Sequence, residues 1–490
     1  MPSSIEIEIK NNMKITDTRS LLWFRQDLRV IDNPALINAA KHGSVVPVYI
    51  YDTTVPEKAE LGGASKWWLH NALVSLQASL DGNLIVLSGN PQEILSDLCA
   101  EHNISSVYWN RMYEPWAIAR DTALKIALKA SGVEAKSTNG SLLWEPMQVL
   151  KKDETPYKVF TPYYKNGCLN AAHPRYPEAK PHIQFMQNLC DISGYQATKS
   201  LGLLPKIKWD THIKELWEVS EQGAQHKLER FIKDAIEEYD DARNIPSVRG
   251  TSQLSPYLHF GLISPNQAWY AVHDAFDGSR EKKGVYVYLS ELGWREFSYY
   301  LLFHFTDIQN KNFNLKFDNF PWAKDPESLR AWQLGKTGVP IIDAGMRELY
   351  QTGYMHNRVR MIVASYLVKN LLIDWREGER WFWDCLVDAD TASNSAGWQW
   401  VAGSGADAAP YFRIFNPILQ GEKFDKEGEY VKKYCPELGK LGKKFLHKPW
   451  EATPQELLQA NIELGTDYPH PIVDLKVSRH RALDAYASIK

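Results

Sequence analysis

The sequence predicts two folds in one chain: an α/β N-terminal domain on a parallel sheet, and a large all-α domain joined to it by a long linker. Three observations carry this. Short apolar runs alternate with helical patterns up to about residue 150, scattered prolines replace the periodicity between 151 and 215, and helical patterns dominate from 216 onward. The parts are accordingly placed at 18–150, 151–215 and 216–490. A chain of 490 residues is too long for one ordinary domain, so a division is expected on size as well.

In the first part, Leu21 to Phe24 is an apolar run ending in the polar turn Arg25-Gln26-Asp27. Val45 to Tyr51, Leu84 to Leu87 and Ser106 to Tyr108 are further short runs rich in β-branched or aromatic residues. Helical patterns lie between them at Trp67 to Leu80 and Pro91 to Glu101. Strands alternating with helices imply a parallel sheet with helical covers. Pro156, Pro162, Pro174, Pro177, Pro181 and Pro205 mark a connector running over a surface. In the last part, Pro340 to Tyr350 opens on a proline suited to a first helical turn and ends near Gly353. Arg358 to Leu372 reads as a second helix, with Val359, Ile362, Val363, Tyr366 and Leu367 on its apolar side.

Composition excludes several classes. No stretch approaches the roughly 18 apolar residues needed to cross a bilayer. Met1 to Arg19 has neither the basic start nor the apolar centre of a secretory signal, so a cytoplasmic location is expected. Five scattered cysteines (Cys99, Cys168, Cys190, Cys385, Cys435) without a C-x-x-C pair argue against a disulfide framework and a zinc site. A net charge of −3 announces no global field for nucleic acid, although a local basic patch can hide in a neutral total. The unusual feature is 18 tryptophans.

Gly403-Ser404-Gly405-Ala406-Asp407-Ala408 formally matches a dinucleotide fingerprint after a possible strand, but Pro410 would interrupt the helix that the motif requires. H-E-x-x-H, G-x-S-x-G and the phosphate-loop lysine motif are absent. What remains is an aromatic and polar constellation. Gly250 to Pro256 offers hydroxyls and backbone N–H groups suited to phosphates or to simple helix capping. Glu291 and Trp294 lie one helical turn apart, and Asn357, Arg358 and Met361 share a face. These types could line a pocket for a flat base, although from spacing alone ordinary helix packing is the better account. Asp388 and Asp390, followed by Asn394, Trp398 and Trp400, would need partners if buried, with Arg360 a candidate. No further ligand sits at metal spacing, so no metal is expected.

Four runs then identify a family. Gly353-Tyr354-Met355-His356-Asn357-Arg358-Val359-Arg360-Met361-Ile362-Val363-Ala364-Ser365, Asp374-Trp375-Arg376-Glu377-Gly378-Glu379, Gly397-Trp398-Gln399-Trp400 and Tyr411-Phe412-Arg413-Ile414-Phe415-Asn416-Pro417 closely resemble the photolyase/cryptochrome family. Within it the match is closest to class I cyclobutane pyrimidine dimer photolyases. Trp23 to Arg29 resembles the family's first strand and turn, so the resemblance spans residue 20 to the end. It implies a Rossmann-like antenna domain, a connector, and a helical domain holding FAD in a U shape. It also implies light-dependent repair of DNA: excited reduced FAD passes an electron to a flipped-out dimer, the cyclobutane ring splits and the electron returns. The cofactor carries the hard chemistry and the protein supplies position and electrostatics.

Residue by residue, the resemblance implies cofactor contacts at Tyr239, Thr251, Ser252, Gln253, Leu254, Ser255, Arg295, Arg360, Asp388, Ala389, Asp390 and Asn394. Asn394 matches the asparagine beside flavin N5. Gln253 departs from the pattern, many relatives carrying a basic residue there, and Tyr354 stands where close relatives often have tryptophan. The lesion pocket falls on Glu291, Trp294, Asn357, Arg358, Met361 and Trp400, and backbone contacts to DNA on Arg243, Arg358 and Arg413. Trp398, Trp375 and Trp322 match a tryptophan chain that re-reduces the flavin. The lysine-rich stretch from Lys423 to Lys448 reads as a solvated face. Glu114 matches a position near an antenna folate, while Gln309-Asn310 replaces the Cys-Lys pair of one folate subgroup, so the antenna is folate or deazaflavin. The implied partner is UV-damaged DNA, single- or double-stranded, and the implied state is a monomer. Two other branches stay open: a signalling cryptochrome, which often carries a long C-terminal extension, and a (6-4) photoproduct enzyme, which typically has a second histidine where this chain has Asn357.

Overall fold

The run at 21–24 forms the central strand of a five-stranded parallel sheet in the computed structural model, which describes residues 18–187, 189, 192, 197–277, 281–408 and 412–490. Residues 1–17, Cys190, Pro410 and Tyr411, used above, lie outside the described residues. The strands are β1 (Arg19–Phe24), β2 (Ser44–Asp52), β3 (Ile85–Gly89), β4 (Ser106–Asn110) and β5 (Glu134–Thr138), in the order β3-β2-β1-β4-β5. Trp23 pairs with Val48 on one side of β1 and Leu22 with Tyr108 on the other. Helices α1 (Pro34–His42), α2 (Gly63–Ser79), α3 (Pro91–Glu101) and α4 (Pro115–Ala130) make the crossovers. α1, α4 and β5 escaped the sequence reading.

The order reverses between β1 and β4, where a doubly wound sheet leaves a crevice at its strand ends. Here that crevice is closed by polar side chains. Arg25 reaches Asp121 at 2.7 Å and Asn110 Nδ2 donates to Asp27 Oδ2 at 2.6 Å. The next residues bind the helical half: Leu28 N–H donates to the Phe260 carbonyl at 3.1 Å, and buried Arg29 donates to the carbonyls of Asp32, Gly140 and Gly261. From the other side, buried Glu296 accepts from Leu143 N–H at 2.7 Å and Trp144 N–H at 3.3 Å. The two parts therefore share one continuous core rather than touching at a hinge.

The helices that build the site are α5 (Glu221–Asp234), α6 (Lys283–His304), α7 (Pro340–Thr352), α8 (Asn357–Ser365), α9 (Trp375–Cys385) and α10 (Thr391–Ala402). α7 starts at Pro340 and stops at Gly353, whose φ of +67° is the left-handed cap that favours glycine. Two readings are corrected. The helix expected from Arg358 to Leu372 ends at Ser365 and widens into a π-helical turn, Tyr366–Asn370. That turn drives Lys369 onto the Phe412 ring and lets Asn370 Nδ2 donate to Ser478 Oγ at 2.9 Å, contacts that periodicity cannot reveal. The residues before Gly403 are the end of α10, not a strand, and Gly403 caps it with φ +93°.

Candidate active site

α6, α8, α9 and α10 enclose a cavity of about 540 Å³, in the range of small-molecule sites. α6 presents Glu291, Trp294, Ser298 and Leu301 at helical steps, so two more residues extend the stripe that Glu291 and Trp294 begin. α8 starts after His356, whose Nδ1 accepts the Arg358 N–H at 3.3 Å, and turns Asn357, Arg360, Met361 and Ala364 inward. α10 starts on Asp390, which accepts from Ser393 N–H at 2.6 Å, and contributes Asn394, Gly397, Trp398 and Trp400. Arg243, Ser255, Arg295, Asp388 and Ala389 complete the expected residues in this wall. Phe297, Phe382, Leu386 and Val401 also line it and were not anticipated.

One end of the cavity is charged. Arg360 Nη2 meets Asp388 Oδ2 at 2.8 Å, and Ser255 Oγ donates to the same oxygen at 2.6 Å. Burial works against the Arg360 cation, but the Asp388 charge outweighs it and holds the guanidinium above its ordinary pKa. Burial likewise opposes the Asp390 carboxylate, yet His259, 3.6 Å away, and the Tyr299 hydroxyl hold it well below the usual range. The site thus keeps fixed ionic charges where a polar ring edge would lie. Tyr354 keeps an aromatic face toward the pair, 5.2 Å beneath Arg360.

The opposite wall is aromatic. The Phe160 ring of the connector stacks on Trp294 with centroids 3.8 Å apart and planes 11° from parallel, and Tyr164 stacks behind it at 5.4 Å. Asp407 Oδ2 accepts the Phe160 N–H at 3.2 Å and anchors this column. Between the two ends, Asn394 Nδ2 donates to the Glu379 carbonyl at 3.1 Å, and Ser395 Oγ donates to the Glu379 carboxyl, which burial pushes up to about 7.

Apart from Trp398, which lines the cavity, the remaining expected residues fall outside its wall. Tyr239 packs edge-on to Phe231 and Tyr288, with Arg243 over its ring at 5.4 Å. Thr251, Ser252, Gln253 and Leu254 form the turn leading into Ser255, Gln253 with φ +54°. Arg358 donates to Asn244 and lies over Phe424, and Arg413 borders a small hollow with Lys369 and Trp400. Trp398 is buried against Phe382 at 4.9 Å, and Trp375 is buried with its Nε1 donating to Asn312 Oδ1 at 2.9 Å. Trp322 is partly exposed and packs on Phe320 at 4.3 Å. Glu114 is buried at the join between the two parts, where burial and then the Asp390 charge raise its pKa. Asn310 accepts from Lys58 at 2.6 Å across the same join. In the lysine-rich stretch, Lys443 pairs with Glu427, and Lys448 lies near Glu422 and Glu451.

The residues present fit a flavin. Buried Asp388 Oδ1 has no protein partner in the cavity wall, an acceptor left for a ring or sugar N–H or O–H. Asn394 offers a neutral amide, and the walls beyond are aromatic and aliphatic.

Comparison with known proteins agrees with this geometry. The FAD binding domain of DNA photolyase matches residues 288–488, and the DNA photolyase model matches residues 20–182. The deoxyribodipyrimidine photo-lyase of Agrobacterium fabrum is 47% identical, over 98% of this chain and 99% of its own length. Cryptochrome-2 of Arabidopsis thaliana is 36% identical, over 94% of this chain and 78% of its own. The crystal structure of a bacterial class III photolyase from Agrobacterium tumefaciens superposes with a TM-score of 0.92 at 46% identity, covering 99% of each chain. With the FAD-binding domain on the helical half and the parallel-sheet domain before it, the chain belongs to the photolyase/cryptochrome family.

Proposed function

We propose that this chain repairs cyclobutane pyrimidine dimers in DNA in a light-dependent reaction. The observation that supports it is the gathering of Glu291, Trp294, Asn357, Met361 and Trp400 around the same cavity as Asp388, Asp390 and Asn394. An enzyme that acts on bases of a duplex must take them out of the stack, so the pocket has to receive a flat, apolar-faced, polar-edged group. Trp294, backed by Phe160, and Trp400 offer stacking faces, and Glu291 and Asn357 offer hydrogen bonds to pyrimidine edges. Arg243, Arg358 and Arg413 supply charge for the DNA backbone without sequence preference. Reduced FAD, when bound, supplies on absorbing light the electron that opens the dimer. Around it, Arg360 with Asp388, together with Ser255 and Asn394, hold and orient the ring system, while the turn from Thr251 to Leu254, with Tyr239 and Arg295, serves its phosphate and ribityl parts. Trp398, Trp375 and Trp322 serve as its route to outside reductant, and Glu114 marks the antenna side of the join.

Asn357 supports dimers over (6-4) photoproducts, since a histidine acid is missing at that position. The 46% identity to a class III photolyase supports that subclass as a second reading beside class I. The test is repair of a thymine-dimer oligonucleotide by reduced protein under blue light and in the dark. Loss of dimer in light alone is expected. Tight DNA binding without repair would move the chain to the signalling branch or to another lesion.

A further inference from the structure

A flavin dinucleotide carries two phosphate charges, and the turn assigned to them offers only hydroxyls and an amide: Thr251, Ser252 and Gln253. A buried dianion is costly without cations, so beside Arg295, already assigned to this end, a further positive group is called for. The structure brings one from α5. Lys227 Nζ donates to Gln253 Oε1 at 2.9 Å and lies 4.6 Å over the Trp217 ring. Gln253 is held in the left-handed region, φ +54°, within the turn that continues to Ser255 and so to Asp388 in the cavity wall. Trp217 leads to the same place by a second route, through Tyr354 at 5.8 Å and then Arg360.

The charge around Lys227 is unbalanced. Arg230 and Arg249 lie near enough to repel it, and among the described residues none of the three forms an ion pair with a carboxylate. Glu218 favours the Lys227 charge but is outweighed by the two arginines and burial, and it also meets His226 at 3.1 Å. Burial, and then these two arginines, push the Lys227 ammonium down to about 8 against the weaker pull of Glu218. A lysine half-buried for packing alone would have an acid or open water beside it. Here a neutral amide aims it along the turn.

We propose that Lys227 is a further cation that binds the cofactor's diphosphate in this chain, and that Gln253 orients its ammonium. The proposal rests on the FAD assignment and adds a second residue, beside Arg295, that neutralises the phosphate end. It also makes positions 227 and 253 interchangeable as sources of that charge, because the two side chains touch.

The test follows from that exchange. FAD content and the FAD dissociation constant, read by flavin fluorescence, are measured for the full chain and for Lys227→Met, Lys227→Arg and Lys227→Met/Gln253→Arg, with thermal melts to show that each folds. Lys227→Met is expected to bind FAD about tenfold to a hundredfold more weakly, the range for one charge-assisted hydrogen bond. Lys227→Arg is expected to stay within about threefold of the unaltered chain, because it keeps the charge. The double variant is expected to recover most of the loss. Unaltered affinity in Lys227→Met overturns the proposal, and so does a double variant as weak as Lys227→Met. An unaltered chain that takes up no FAD overturns the cofactor assignment itself, a distinct result.

Discussion

Glu291 and Arg243 form an ion pair in the cavity wall, the carboxylate from α6 and the guanidinium from the end of the short helix Tyr239–Ala242. Both groups have proposed roles toward DNA, and in the free protein each occupies the other. A substrate that uses Glu291 must therefore compete with Arg243. Replacing Glu291 by Gln is expected to lower kcat/KM for dimer repair about tenfold to a hundredfold, or about 1.4–2.7 kcal/mol. Replacing Arg243 by Met is expected to weaken DNA binding and to reduce the slope of log affinity against log salt by about one. Repair kinetics and a salt titration separate the two.

The Phe160–Trp294 stack predicts that the connector sets the platform of the pocket. Phe160→Ala removes the ring behind Trp294 and should cost about 3–5 kcal/mol of stability by denaturant unfolding. Phe160→Leu should cost less but still weaken dimer binding, because a branched side chain fills the space without holding the indole plane.

Gly378 predicts a packing failure of opposite sign. A Cβ at this position of α9 would lie 2.0 Å from the Trp398 ring. Gly378→Ala should therefore displace Trp398, lower the melting temperature by an amount equivalent to about 1–3 kcal/mol, and shift tryptophan fluorescence. Gly397→Ala, where nothing lies within 4 Å, is the control.

Glu379 predicts a pH dependence. Its folded pKa of about 7 lies above the ordinary 4.5, so its contribution to stability is present in full below 4.5 and is lost as pH rises through 7. Glu379→Gln cannot ionise and keeps the hydrogen-bonding shape. The stability of the variant relative to the unaltered chain should rise between pH 5 and pH 8 by about 2–3 kcal/mol, read from denaturant midpoints at each pH.

The parts of this molecule legible in the sequence are those where local pattern and tertiary role coincide. β1 to β4 are buried on both faces and appear as apolar runs, and α7 carries its own start and stop signals. β5 does not, because Glu134-Ala135-Lys136-Ser137-Thr138 is half-exposed and has no apolar run to find. Within the site, the pairings at one-turn spacing are visible; the need to neutralise buried carboxylates makes Arg360 a candidate partner, and the family resemblance assigns it to Asp388. Phe160 was not visible: a connector rich in proline reads as surface, and only the fold brings its ring to Trp294. The π-helical turn after Ser365 was hidden for the same reason, since the partners of its side chains, Phe412 and Ser478, come from the far end of the chain.

The polar character of β5 has a consequence before any cofactor or DNA is met. It is an edge strand, and an open edge invites a strand from another molecule. Glu134 and Lys136 point outward there and pair at 2.7 Å, which places charge along the row where an intruding backbone would have to settle. Charge on that row works against self-association of the newly made sheet, and replacing both residues with valine should increase aggregation as the chain folds.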